Sequence, residues 1–222
     1  MPPSPVTTTP EIYALLKGLH EKSLTQESTV DWRSLPAQCT DEFDSIMLDK
    51  FIALDQDKCE FIYHLLRSID AKTVIEAGTS FGVSTIYLAL AVAENAKRGG
   101  SPRVIATEKE ASKAQVARAH WASAGKGVED VIELRVGDLR ETLTRDLANV
   151  DFLLLDIWTP LALPALKLVQ PHMRPGAVII ADNTIMAGDL YQELFEYVDA
   201  EGSGFRRVTM PYAGGMDMIV YQ

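Results

Sequence analysis

Apolar residues recur along the chain with two periods, and the switches between them mark the elements. Over residues 10–21 the period is helical, with Ile12, Leu15, Leu16 and Leu19 on one face. Residues 24–45 are polar and irregular, with Trp32 and Leu35 as isolated anchors. Residues 57–69 read as an amphipathic helix, apolar at Phe61, Ile62, Leu65 and Leu66. A regular rhythm starts after Ala71. Strands are predicted at 73–77, 103–107, 131–136, 151–155 and 177–181. The fourth reads as one continuous apolar run, as a strand covered on both faces should. Helices are predicted at 84–97, ended by Gly99 and Gly100, and at 110–124, ended by Gly125. A third starts with Thr159 as N-cap and Pro160 at its first position, and Pro164 should distort it. A fourth covers 189–199. Two last strands, 205–210 and 216–221, are joined by residues 212–215, short enough for an antiparallel pair.

Alternating strands and helices predict a Rossmann-like α/β fold: a mostly parallel central sheet, a C-terminal antiparallel pair, and helices on both faces. At 222 residues, 47% of them hydrophobic, the chain suits one domain with a sizeable core better than two. That domain is expected over 51–222. Residues 1–50 precede it as a helical extension, the first ten as a disordered tail.

Charge narrows the function classes. A net charge of −10, with no basic stripe, argues against a nucleic-acid partner, whose phosphates are held by clustered Lys and Arg. Cys39 and Cys59 form no CxxC pair and no zinc spacing, which fits idle thiols in a reducing compartment. The N-terminus lacks the basic and apolar regions of a leader, and no apolar run approaches the roughly 20 residues of a spanning helix. A soluble cytoplasmic protein away from membranes is expected.

Four features could carry chemistry. The run from Val74 to Ser84 (VIEAGTSFGVS) lies between a strand and a helix. Gly78 and Gly82 would let the backbone turn tightly and a ligand approach the helix N-terminus. The spacing is GxxxG, so the dinucleotide fingerprint fits poorly, and a plain tight turn is the structural alternative. Glu108 ends the next strand, where an acid can accept hydrogen bonds from ribose hydroxyls or simply favour a helix start. Gly137 and Asp138 end the third strand; the Asp could receive an exocyclic amine or cap a helix. Asp156 ends the buried fourth strand, and Asp182 with Asn183 ends the fifth, 26 positions later. Oxygen side chains converging from adjacent parallel strands would suit Mg²⁺ or a similar hard cation. The alternative is that each Asp caps a helix.

Taken in order, Glu76 to Gly78 with Ser84, Glu108, Gly137 with Asp138, Leu155 to Trp158 and Ala181 to Ile185 resemble the small cation-dependent O-methyltransferases. That group includes catechol and caffeoyl-CoA O-methyltransferases. The resemblance covers roughly residues 50–222, and 10–50 more loosely. It implies S-adenosylmethionine as cofactor, with a divalent cation. By position, Gly78 would pass close to the cofactor and Glu76 would face its methionine amino group. Ser84, with the backbone near Ala53 and Leu54, would meet its carboxylate. Glu108 would hold the ribose and Asp138 would lie beside the adenine. Ile157 and Trp158 would line the cofactor and acceptor pocket. Asp156, Asp182 and Asn183 would hold the metal, with Asp156 the catalytic centre. The segment 55–61 resembles the family's lead-in to the helix before the first strand.

One position departs. The family carries a Lys three residues after the first metal-binding Asp; here it is Thr159, followed by Pro160. Lys167, two turns on, is a poor substitute, and none of His20, His64, His120 and His172 has metal-ligand spacing with another. The implied reaction is methyl transfer to a hydroxyl of a catechol-like or phenolic small molecule, in a homodimer whose N-terminal segment serves as lid or contact. Alternatives are a metal-independent methyltransferase, a non-catalytic cofactor-binding homologue and, against the glycine spacing, an NAD-dependent oxidoreductase.

Overall fold

The structure, a computed structural model, describes residues 4–222. The predicted parallel strands form as β1 (Thr73–Ala77), β2 (Arg103–Glu108), β3 (Ile132–Val136), β4 (Val150–Leu155) and β5 (Met173–Asp182). With β6 (Phe205–Met210) and β7 (Met216–Tyr221) they make one seven-stranded sheet in the order β3-β2-β1-β4-β5-β7-β6. The last hairpin is antiparallel as expected, but β7 inserts between β5 and β6 and runs against both. Gly214 and Gly215, both at positive φ, let the connection fold back on the exit from β5. There the Gly214 carbonyl accepts from the Ile185 and Met186 N–H groups, each at 2.9 Å.

Nine helices among the described residues surround the sheet: α1 (Pro10–Glu27), α2 (Asp41–Met47), α3 (Gln56–Ser68), α4 (Val83–Ala96), α5 (Ala111–Ala124), α6 (Lys126–Glu129), α7 (Leu139–Thr142), α8 (Ala162–Val169) and α9 (Gln192–Asp199). Two cores result. Phe152 and Leu154 of β4 face one core, built with α1, α3, α4 and α5. Leu153 and Leu155 face the other, built with α7, α8 and α9. The strand's period of two explains why its sequence shows no alternation: both faces are covered.

The N-terminal region departs from expectation. Of the predicted disordered tail, residues 1–3 lie outside the described residues. Beyond them Val6 is buried, and Thr9 caps α1 by accepting from the Ile12 N–H, with Pro10 opening the helix. Helix α1 continues to Glu27, and α2 occupies part of the stretch expected to be irregular. Thr40 caps α2, and Asp41, Glu42 and Asp44 favour its positive end. Trp32 is 44% exposed rather than a buried anchor; Phe43 and Met47 of α2 are the buried residues.

Pro164 does not distort its helix. It is the third residue of α8, within the first turn, where an N–H has no helical acceptor to lose. The N-cap of α8 is Leu161 rather than Thr159, and a 3₁₀ turn, Thr159–Leu161, itself preceded by Trp158 as N-cap, leads into α8. Among the described residues no helix is long and apolar enough to cross a membrane.

Candidate active site

The strand order reverses between β1 and β4, so their following connections diverge and leave a crevice at the carboxyl ends. The two connections touch. The Asp156 N–H donates to the Ala77 carbonyl at 3.1 Å, and a Cβ on Gly78 would stand 2.0 Å from the Asp156 carbonyl oxygen. Gly78 therefore has to be glycine for the two strand ends to meet, quite apart from any ligand. Gly82, at φ 78°, opens α4, and its carbonyl accepts from the Trp121 indole at 2.9 Å. His120 Nδ1 lies 2.8 Å from the Phe81 carbonyl and supports the same loop.

Glu76 is the centre of this loop. It is fully buried and accepts from three hydroxyls: Thr79 at 2.7 Å, Ser84 at 2.6 Å and Thr85 at 2.6 Å. Burial raises its carboxyl above the usual range, and the three hydroxyls oppose that rise. Ser84, assigned by resemblance to the methionine carboxylate, here donates its hydroxyl hydrogen bond to Glu76.

Glu108, also buried, accepts from the backbone N–H groups of Ser80 at 2.7 Å and Glu110 at 2.8 Å. Burial raises its pKa against those bonds. It thereby joins the β1 loop to the β2 end. Asp138 caps α7, accepting from the Arg140 N–H at 2.8 Å, and its carboxylate pairs with the Arg140 guanidinium at 2.5 Å. The guanidinium holds its carboxyl below the usual range.

The cluster at β4 and β5 is the most heavily charged part of the site. Asp156 is half-buried at the crevice; desolvation, then the Asp182 and Glu76 charges, push its carboxyl well above the usual range. Asp182, 5% exposed, does not stand free. Lys58 Nζ of α3 lies 2.7 Å from its Oδ1 and 2.9 Å from Asp55 Oδ2. Lys58 is itself only 1% exposed. Burial disfavours its charge, but the two carboxylates outweigh burial and raise its pKa, so the ammonium stays protonated. Asn183, in the left-handed region at φ 57°, turns its amide nitrogen to Asp182 Oδ2 at 2.9 Å. Oδ2 of Asp182 thus accepts from Asn183, while Oδ1 has the Lys58 ammonium at ion-pair distance but accepts no hydrogen bond. With the Lys58 ammonium 2.7 Å from Oδ1 and the Asn183 amide nitrogen 2.9 Å from Oδ2, the side chains as placed leave Asp182 no open oxygen for a divalent cation.

The N-terminal region covers the β4 exit. Phe43 of α2 packs edge-on against Trp158, with ring centroids 4.6 Å apart. Gln38 Oε1 accepts from the Thr159 hydroxyl at 3.0 Å and its N–H at 3.2 Å. Lys109, beside Glu108, pairs with Asp44 of α2 at 2.6 Å. Sequence reasoning missed Gln38, Phe43 and the role of Lys58. For Lys58 a signal existed: positions 58, 62 and 66 share one face of α3, and the other two are Ile62 and Leu66.

Comparison with known proteins identifies the family and the fold. Residues 75–184 match the family profile of a methyltransferase domain. A catechol O-methyltransferase from Mycobacterium tuberculosis is 33% identical over 177 residues, 77% of this chain and 74% of that one. The chain belongs to the S-adenosylmethionine-dependent O-methyltransferase family. A second catechol O-methyltransferase, from Niastella koreensis, is 28% identical over 64% of this chain and 62% of its own length. Among solved structures, an O-methyltransferase from Bacillus cereus in complex with S-adenosylhomocysteine superposes with a TM-score of 0.72 at 20% identity. It covers 94% of this chain and 91% of that one. The Streptomyces achromogenes O-methyltransferase of tomaymycin synthesis, in complex with S-adenosylmethionine, gives 0.70 at 20% identity, covering 98% and 92%. These two likenesses concern the fold.

Proposed function

We propose that this O-methyltransferase methylates a phenolic hydroxyl, as in a catechol-like ring, on a small-molecule acceptor. The observation that carries the reading is the convergence of Gly78, Glu108 and Asp156 on one crevice with Trp158 and Phe43 at its edge. An aromatic edge and the exposed Ile185 and Met186, just beyond Asn183, suit a flat apolar ring bearing a polar hydroxyl. The similarity to two catechol O-methyltransferases supports the same acceptor class.

In the reaction the acceptor oxygen attacks the methyl carbon and the carbon–sulfur bond breaks. The products are the methyl ether, the neutral thioether S-adenosylhomocysteine and one proton released to solvent. The chain's own contribution is alignment, which can supply much of the acceleration in a transfer of this kind. Gly78 permits close approach at the β1 end, and Glu108 would hold the ribose hydroxyls. The acidic surroundings favour the sulfonium donor over its neutral product. The family's cation enters no step here, because Lys58 and Asn183 already occupy Asp182. Residues 38–47 form a cover over Trp158 and Thr159, and the same extension is the proposed contact of a homodimer, which light scattering checks.

The test is calorimetric titration with S-adenosylhomocysteine, followed by mass-spectrometric detection of methyl transfer to a panel of catechols and single phenols. Binding with methylation of a panel member is expected. Cofactor binding without methylation of any phenol would overturn the acceptor class and favour a non-catalytic cofactor-binding protein.

A further inference from the structure

We propose that the Lys58 ammonium is a resident monovalent substitute for the divalent cation, so that this protein excludes metal from the Asp156–Asp182 crevice. The proposal rests on the phenolic reading only for its activity arm. Its basis is steric and electrostatic. Lys58 Nζ stands 2.7 Å from Asp182 Oδ1, an oxygen that a cation bridging β4 and β5 would need. The other oxygen of Asp182 takes the Asn183 amide nitrogen at 2.9 Å, which also points the third presumed ligand the wrong way round. A divalent ion entering there would meet a fixed positive charge at close range in a poorly screened interior.

Lys58 has no easy way to yield. It is 1% exposed on an α3 face shared with the buried Ile62 and Leu66, and Asp55 holds it from the other side at 2.9 Å. A buried ion pair of this kind neutralises Asp182 permanently, whereas a metal would do so only when bound. Its ammonium stands within ion-pair distance of both the Asp55 and the Asp182 carboxylates. At 1% exposure Lys58 acts through Asp182 and is a positioning residue, not one that touches the acceptor. The acceptor then has no metal to chelate, and a lone phenolic hydroxyl suffices where a metal site would favour two adjacent oxygens.

The experiment uses the full chain, stripped with chelator and desalted. Mn²⁺ is titrated against it by electron paramagnetic resonance, and Tm is measured with and without Mn²⁺. The wild type should bind no stoichiometric Mn²⁺ and show an unmoved Tm. Lys58→Met leaves Asp182 buried without its cation, so this variant should have a lower Tm and acquire a Mn²⁺ site. Mn²⁺ at about 100 times its dissociation constant should then raise the variant's Tm by about 5–10 °C.

One Mn²⁺ per wild-type chain, lost in Asp182→Asn, would overturn the proposal. A folded Lys58→Met that still takes up no Mn²⁺ would also overturn it, since Lys58 would not be the excluding group. If Lys58→Met fails to fold, the wild-type titration decides alone. Methyl transfer assayed in excess chelator separates the two claims. Transfer that continues unchanged supports both. Absence of transfer from a Mn²⁺-silent protein sinks only the phenolic reading, and transfer that chelator abolishes sinks the substitution.

Discussion

Gly78→Ala tests whether the crevice depends on contact between the β1 and β4 ends. The new Cβ would lie 2.0 Å from the Asp156 carbonyl oxygen and 2.9 Å from its carbonyl carbon, both backbone atoms that cannot rotate away. Ordinary contact begins near 3.4 Å, so the connections must separate by more than an ångström. The residue also sits at φ +94°, where a side chain is strained. Left-handed strain costs about 1–3 kcal/mol and overpacking about 1–3 kcal/mol more. The sum is about 2–6 kcal/mol, or a fall in Tm of at least about 4 °C for a domain of this size. Urea unfolding followed by circular dichroism measures the stability, and calorimetric titration with S-adenosylhomocysteine measures the site. If the loop yields instead of straining, the stability loss shrinks and the affinity falls. Gly127→Ala is the control: nothing lies within 4 Å of its new Cβ, and it sits in α6. An Ala there should be neutral or stabilising by up to about 1 kcal/mol. A Gly78→Ala protein within about 0.5 kcal/mol of the parent, with unchanged affinity, would refute the reasoning.

Three further outcomes are expected. His20 is buried against the Tyr87 hydroxyl at 2.9 Å, and burial, opposed by the Asp55 charge, lowers its pKa. Its neutral form is favoured in the fold, so this stability is complete above the unfolded pKa of about 6.5 and is lost as pH falls below it. Thermal melts between pH 7.5 and 5.5 should show that loss, with a shallower slope in His20→Gln; an identical slope would remove His20 from the account. Arg207 pairs with the fully buried Asp217 at 2.7 Å and also with Asp199. Arg207→Met leaves Asp217 only the Thr184 hydroxyl and should cost on the order of 3 kcal/mol in urea, much of it recovered by adding Asp217→Asn. Phe43→Ala should empty the contact with Trp158 at a cost of about 3 kcal/mol and speed proteolysis within 28–50 about tenfold or more. Unchanged cleavage there would mean that α2 is held by other contacts.

Much of the architecture was legible in the chain because a sheet covered by helices imposes local periods. The run Phe152 to Leu155 needed both faces buried, and the helix at 57–69 showed a clear apolar stripe. Local rules also located the loops that matter: a strand, a glycine pair and a helix start around Gly78, and acids at the ends of β2, β4 and β5. Family membership followed from that order of motifs. Local rules failed where the answer depended on what lies across the molecule. Pro164 looks like a breaker until its place in the first turn is known. Trp32 looks like an anchor, yet Phe43 fills that part, because burial is set by what α2 packs against.

The sequence by itself determined the fold class and the presence of acids at the carboxyl ends of the strands. Only the tertiary structure decided how those acids are used. Ser84, Thr79 and Thr85 converge on Glu76, Arg140 closes on Asp138, and Lys58 reaches Asp182 from a helix 124 positions earlier in the chain. A carboxylate's chemistry depends on the charges within a few ångströms of it. Neighbours that distant in sequence are brought together by packing, which no local pattern encodes.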